Sequence, residues 1–240
     1  MDNYYIYCIA HNAPEGLYPD VAGHGDAPVL GVRYREMTAI VSKTEQTHID
    51  AGYENLQRHE AIISRIMRDY DLLPMSFSTI CESYEGVASI LEKYYGQFRE
   101  NLDRVSGRIE LGVKVFFRFG ANAEEPPKER AASSPREYMM NLYGKYEQRK
   151  KAEEELFSVI ETFHEKLLGI AADCRYTKPM KNNLVFNASY LVEKGRKNEF
   201  DTAIEEITAE YPAFRINYSS PWPAYHFIKI VREVDEDERL

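Results

Sequence analysis

Cysteine is scarce in this chain. Cys8, Cys81 and Cys174 lie far apart in 240 residues, with no Cys-x-x-Cys pair and no zinc-ligand spacing. That excludes a disulfide scaffold and reads as the reduced, mostly buried thiols of a cytoplasmic protein. Long apolar runs are missing too. Nothing approaches the roughly 18 consecutive apolar residues of a membrane-spanning helix. Met1-Asp2-Asn3 has neither the basic start nor the apolar segment of a secretory signal, so none is expected. Positive charge is in deficit, with 30 Lys and Arg against 39 Asp and Glu and a net charge of −9. Nucleic acid is not expected as a partner, because neutralising phosphates requires clustered cations. The cations that do cluster, Lys145 and Arg149-Lys150-Lys151, stand just before Glu153-Glu154-Glu155. Mixed charges at that spacing read as a solvated helix face.

Signatures of catalysis are absent as well. His59-Glu60 starts like the metalloprotease helix, but Ile63 occupies the place of its second histidine. His59 lies beside an apolar stripe and reads as a packed or hydrogen-bonded residue. His11, His24, His48, His164 and His226 share no spacing, so no metal site is expected, and His24, between Gly23 and Gly25, reads as a loop residue. No phosphate-binding glycine loop and no nucleophile elbow occurs. The residues therefore indicate no catalytic group and no cofactor, and the chain is not read as an enzyme.

What is present is periodicity. Tyr4 to Ala10 reads as a strand, and 29–34 with 37–41 as a strand pair around Arg35-Glu36. Leu56, His59, Ile62, Ile63, Ile66, Met67 and Tyr70 mark a helix stripe. Residues 72–80 read as a short strand broken by Pro74. A second helix begins near Ser83, with Val87, Ile90, Leu91, Tyr94, Tyr95, Phe98 and Leu102 as its stripe. Ile109, Leu111, Val113, Val115 and Phe117 alternate along a long strand. Residues 121–134, dominated by proline, serine and charge, read as a linker.

A long helix is expected from Pro135 to Ala172. Its seam of Leu156, Ile160, Phe163, Leu167 and Ile170 is read as packing on a sheet rather than as a coiled-coil dimer. A further strand at 173–177 precedes a βαβ unit: strand 184–192, a helix with Phe200, Ala203, Ile204, Ile207 and Tyr211, and strand 214–218. The expected fold class is α+β with two domains, each an antiparallel sheet with helices on one face in a modified ferredoxin-like arrangement. The divisions expected are an N-terminal domain at 1–120, the linker at 121–134, a C-terminal domain at 135–230 and an acidic tail at 231–240.

Aromatics concentrate at the end of the second domain. Pro221-Trp222-Pro223-Ala224-Tyr225-His226-Phe227 puts three rings in a short segment whose prolines restrict the backbone. These rings read either as core cover or as a rigid anchor for another protein, which makes Trp222, Tyr225 and Phe227 the candidate partner-binding residues.

The segment from Asn182 through Tyr218 to this aromatic run resembles the carboxyl end of the gas vesicle protein GvpF/GvpL family. Further matches follow in order along almost the whole chain. They are Tyr4-Tyr5-Ile6-Tyr7-Cys8-Ile9, Leu56 to Glu60 with Leu73-Pro74-Met75-Ser76-Phe77-Ser78-Thr79, Gly107 to Val115, and Arg136-Glu137-Tyr138-Met139. Ser76-Phe77-Ser78 stands where the family usually has Arg-Phe-Gly. The resemblance implies an accessory structural or assembly protein associated with gas vesicles in the cytoplasm. It implies binding to the major shell protein GvpA and to other accessory Gvp proteins. Two other readings stay open: a tandem ferredoxin-like enzyme, including haem-dependent ones resembling chlorite dismutase with His164 or His226 as axial ligand, and a small-ligand regulatory module. The residues leave the oligomeric state and the F-like or L-like branch open.

Overall fold

A computed structural model of the chain describes residues 2–117, 135–177 and 184–231. Within the helix at 135–168 the side chains are described only in part. The expected linker at 121–134 lies outside the described residues, as does the acidic tail beyond Val231. The chain forms two compact units, one of residues 1–110 with 220–240 and the other of residues 111–219.

The first unit is built on strand β1 (Asn3–His11), flanked in its sheet by β4 (Met37–Thr44) and by the short strands β5 (Leu72–Pro74) and β6 (Ile80–Cys81). β3 (Pro28–Tyr34) and β2 (Gly16–Ala22) extend the sheet beyond β4 in antiparallel pairings. Tyr4 to Ala10 are all buried, without alternation. Adjacent residues of a strand point to opposite faces, so a continuous buried run means that both faces are covered. Tyr5 meets helix α1 (Tyr53–Met67) at His59, and Tyr4 meets the start of α2 (Tyr84–Lys93) at Tyr84. The expected helical cover is thus supplied by α1, and α2 adds a second layer opposite it.

Ile62, Ile63 and Ile66 of α1 join Tyr5, Tyr7, Cys8 and Ile40 in one core cluster. The Ser83 side chain caps α2 by accepting from the Gly86 amide. The single helix expected from Ser83 onward breaks at Tyr94, whose φ/ψ of −102°/12° is not helical, and α3 (Tyr95–Val105) follows. Tyr95 is drawn aside there. Its hydroxyl donates to Glu36, and the Arg35 guanidinium lies 4.8 Å from its ring centre.

The second unit runs β7 (Arg108–Phe117), α4 (Pro135–Leu168), β8 (Asp173–Tyr176), β9 (Leu184–Glu193), α5 (Lys197–Glu210) and β10 (Phe214–Trp222). Its strand order is β10-β7-β9-β8, so β7 lies between the two strands that α5 joins. The βαβ unit read from the sequence is therefore a split one, β-α-β-β-α-β in connectivity. Here burial alternates along β10 and along β9 as far as Tyr190, because the helices cover one face; Leu191 and Val192 are then buried in succession. Phe163 of α4 packs edge-on against Phe186, and Phe200 of α5 lies 5.3 Å from Tyr190. Ile160, Phe163, Leu167 and Ile170 are buried, so the seam of α4 serves its own sheet. Arg196 closes the end of α4 by donating to the Ile170 carbonyl at 2.8 Å.

Register along α4 gives a direct test, since Leu167 is buried and Leu168 exposed. Leu167→Ala is expected to cost about 2–5 kcal/mol of unfolding free energy, and Leu168→Ala under about 1 kcal/mol. Equal losses in urea denaturation would contradict this packing.

Candidate functional site

The candidate residues Trp222, Tyr225 and Phe227 close β10 and enter a single turn at 225–227 within the first unit. They are treated differently. Phe227 is 1% exposed and is a core ring. Trp222 is half-buried, and Tyr225 keeps 38% of its surface in solvent.

Two devices hold this segment. Glu110 of β7 is buried, and its carboxylate accepts from the His226 backbone amide at 2.9 Å and lies 2.5 Å from His226 Nδ1. A buried carboxylate needs such partners to offset the loss of water. Beyond the turn, residues 227–231 lie along α3, where Gln97, Asn101 and Arg104 recur on one face. Asn101 Nδ2 donates to the Lys229 carbonyl at 3.0 Å, and the Lys229 amide donates to Asn101 Oδ1 at 2.9 Å. Gln97 makes the same reciprocal pair with Val231, at 3.2 and 2.8 Å. Arg104 donates to the Phe227 carbonyl. Side-chain amides one helical turn apart thus stand in for a neighbouring strand, satisfying main-chain groups of alternate residues.

Beneath Tyr225 lies a buried aromatic cluster. The Tyr5 hydroxyl accepts from the Ser78 amide at 2.9 Å and lies 2.9 Å from His59 Nδ1. The arrangement that leaves no hydrogen unpaired has Tyr5 donating to Nδ1, which places the imidazole proton on Nε2. Nε2 lies 3.4 Å from the Tyr225 hydroxyl. Burial pushes the His59 imidazole down to about 4, against the opposing pull of the Met75 carbonyl. Burial likewise raises the Tyr225 phenol. Phe77 stands edge-on to His59, 5.6 Å between centres.

His24, read from the sequence as a loop residue, is instead 7% exposed, with its ring 4.5 Å from Tyr5 and stacked on Tyr7. Burial lowers its imidazole too. Ser78 has φ +61°, a conformation that favours glycine, which is what the resembled family has there. Here the Ser78 hydroxyl compensates by accepting from the Ile49 amide at 2.9 Å.

The His59 and His24 imidazoles pack among these rings, and His24 also borders an open cleft lined by Asp2, Lys43 and Asn55. Among the described residues, no three His, Cys, Asp or Glu converge as metal ligands, and no helix is long and apolar enough to cross a membrane. Of the histidines considered as haem ligands, His164 lies 2.6 Å from the Tyr190 hydroxyl and His226 is engaged with Glu110. Sequence reasoning missed Glu110, Gln97 and Asn101. A carboxylate inside the alternating strand at 109–117 was a signal; polar residues on a helix's outer face were not.

The family profile described as gas vesicle synthesis protein GvpL/GvpF matches residues 3–229. Gas vesicle protein F1 of Halobacterium salinarum is 26% identical over 233 residues, covering 95% of this chain and 94% of the relative. Gas vesicle protein L of a Streptomyces species is also 26% identical, over 252 residues, with the same shares covered. The crystal structure of gas vesicle protein GvpF from Anabaena superposes with a TM-score of 0.79 at 23% identity, covering 98% of this chain and 100% of that one. The chain belongs to the GvpL/GvpF family, as its short motifs indicated, and has an accessory role in gas vesicles. The enzyme alternative gains no support from these relatives.

Two predictions follow from the geometry. Because folding favours neutral His59, protons bind the unfolded chain first as pH falls. Stability is flat above about pH 6.5 and declines between 6.5 and about 4. The part due to His59 is on the order of 3 kcal/mol. Urea unfolding at stepped pH should show this slope and lose the His59 share of it in His59→Gln, leaving a smaller slope from His24 and His164, whose imidazoles burial also lowers; an unchanged slope would assign the acid sensitivity elsewhere. Asn101→Leu leaves the Lys229 amide and carbonyl without their partner and should cost about 1–3 kcal/mol. Hydrogen exchange at the Lys229 amide should quicken in that variant, and protection as in the parent would refute the ladder.

Proposed function

We propose that this chain is a non-enzymatic assembly factor that offers an aromatic surface to the gas vesicle shell protein GvpA while the vesicle forms. The observation that carries this reading is convergence. His59, Phe77, Glu110 and Tyr225 come from four separate segments that resemble the family, and in the first unit they meet around the aromatic turn. Their chemistry is that of a scaffold: they fix the backbone of 225–231 and the hydroxyl end of Tyr225, leaving the rest of that ring and half-buried Trp222 toward solvent.

On α1, exposed Leu56 lies one helical turn before His59, and Tyr53 is exposed as well. A rigid aromatic group held at low entropy cost suits capture of a subunit with an apolar face, since aromatic anchors dominate protein interfaces. Shielding such a subunit from uncontrolled association is what an accessory factor of a protein-walled compartment would do. Other accessory Gvp proteins are further partners in this reading, and the location is at the forming vesicle.

The test is co-purification with GvpA. Trp222→Ala and Tyr225→Ala should each weaken capture roughly tenfold, about 1.4 kcal/mol, with a smaller loss of melting temperature for the half-buried Trp222→Ala than for Phe227→Ala. Phe227→Ala, a core truncation, should lower the melting temperature instead. Full capture by the Trp222→Ala/Tyr225→Ala double variant would remove this surface from the interface.

A further inference from the structure

The sheet of the second unit has one face that α4 and α5 leave uncovered, and strand register shows what that face carries. Adjacent residues of a strand point to opposite faces, so one contact fixes the rest. On β10, Tyr218 stacks on Phe200 of α5 at 6.0 Å, and its hydroxyl donates to Asp201 at 2.6 Å. Tyr218 therefore faces the helices, and Arg215, Asn217 and Ser219 face away from them. β7 follows from its neighbour. The Arg215 guanidinium lies 4.5 Å from the Phe116 ring centre, and a Cβ on Gly112 would lie 2.7 Å from Ser219 Oγ. Gly112, Lys114 and Phe116 thus share the helix-free face. On β9, Phe186 and Tyr190 meet the rings of α4 and α5, which turns Asn187 and Ser189 the other way. Arg175 of β8 stands opposite Ser189 in register, so it joins them, as does Asp173.

This face gathers cations that lie far apart in sequence. Lys114, Arg175 and Arg215 are exposed, on β7, β8 and β10. Asp173 is the carboxylate among them and is paired with Arg175 at 3.0 Å. Among the described residues, neither Lys114 nor Arg215 forms an ion pair. In a chain of net charge −9, a local excess of positive charge selects an anionic partner. From β10 to β8 there are three inter-strand steps, roughly 14 Å. That width exceeds a single phosphate or carboxylate and suits a polymer carrying several anionic groups. Nucleic acid and acidic polypeptide are the two candidates. A sheet that reads single-stranded nucleic acid needs several open rings on which bases stack. Here Phe116 is the one aromatic ring on the face among the described residues, and it is half-buried with Arg215 over it. A guanidinium stacked on a ring keeps its in-plane N–H groups for a bidentate carboxylate. The chemistry therefore favours the polypeptide.

We propose that the helix-free face of the second sheet is a docking surface for an acidic polypeptide segment of a partner protein, with Arg215, Lys114 and Arg175 engaging its carboxylates. The surface belongs to the second unit and does not depend on the shell-protein reading of Trp222 and Tyr225.

Fluorescence anisotropy of a fluorescein-labelled deca-glutamate peptide, titrated with the full chain, tests this. The parent should bind saturably at roughly 50 mM salt and more weakly at roughly 200 mM. Lys114→Gln with Arg215→Gln should weaken binding at least roughly tenfold, with circular dichroism and melting temperature close to the parent's because both residues are exposed. Arg136→Gln, which removes an exposed cation of α4 instead, should leave binding as in the parent. No binding by the parent, or equal binding by the parent and the double variant, would overturn the proposal. A loss as large in Arg136→Gln would overturn it too, since the attraction would then belong to the chain's cations at large. Tighter binding of a labelled oligouridylate, lost in the double variant, would give the face to nucleic acid. Self-association lost in the double variant, without peptide binding, would give it to a second copy. Either result would overturn the acidic-polypeptide assignment.

Discussion

The buried hydrogen bond between Tyr5 and His59 is the constraint on which the first unit's organisation depends. The one hydroxyl ties the central strand to α1 and, through the Ser78 amide, to the loop at 76–79. By occupying Nδ1 it also leaves the imidazole's other nitrogen facing Tyr225. A polar pair in a dry core is expensive when half-satisfied and specific when complete. Three chain segments distant in sequence are therefore held to one arrangement. Glu110 works in the same sense on the far side of the turn, where a buried carboxylate can be tolerated only with the His226 amide and imidazole in place.

The two sheets show how burial pattern follows layering. β1 is buried without alternation because α1 and α2 lie on opposite faces of it, whereas β10 and the first part of β9 alternate because one face carries the helices. α4 belongs to the second kind of packing for part of its length only. Its seam from Ile160 onward is used by the sheet, and Met139, Tyr143, Tyr146 and Phe157 before it are exposed. A helix with apolar groups on two faces satisfies one at home and presents the other.

Much of this was legible in the residues. The strand at 4–10 and the hairpin around Arg35-Glu36 follow from their β-branched and aromatic residues, and the stripe of α1, the alternation of β7 and the seam of α4 from period. Other elements were not. β2 was invisible because it is an edge strand with Pro19 inside it and only Tyr18 fully turned to the core. The break at Tyr94 carries no glycine or proline, because it is imposed from outside by the pull of Glu36 and Arg35 on Tyr95. His24 sits between glycines and reads as a loop residue, yet it is buried against the rings of Tyr5 and Tyr7.

The aromatic run at 221–227 marks the limit. Composition identified it as unusual and, with the other short motifs, tied the chain to its family. It could not divide the run into a buried ring and partly exposed ones, because chain order says nothing about which distant carboxylate or amide will meet each residue. Local sequence determines periodicity, turns and charge, since these act over a few residues. The meeting of Tyr225 with His59, of His226 with Glu110, and of Lys229 with Asn101 spans more than a hundred positions in each case. Only the folded strands and helices bring such groups within hydrogen-bond distance.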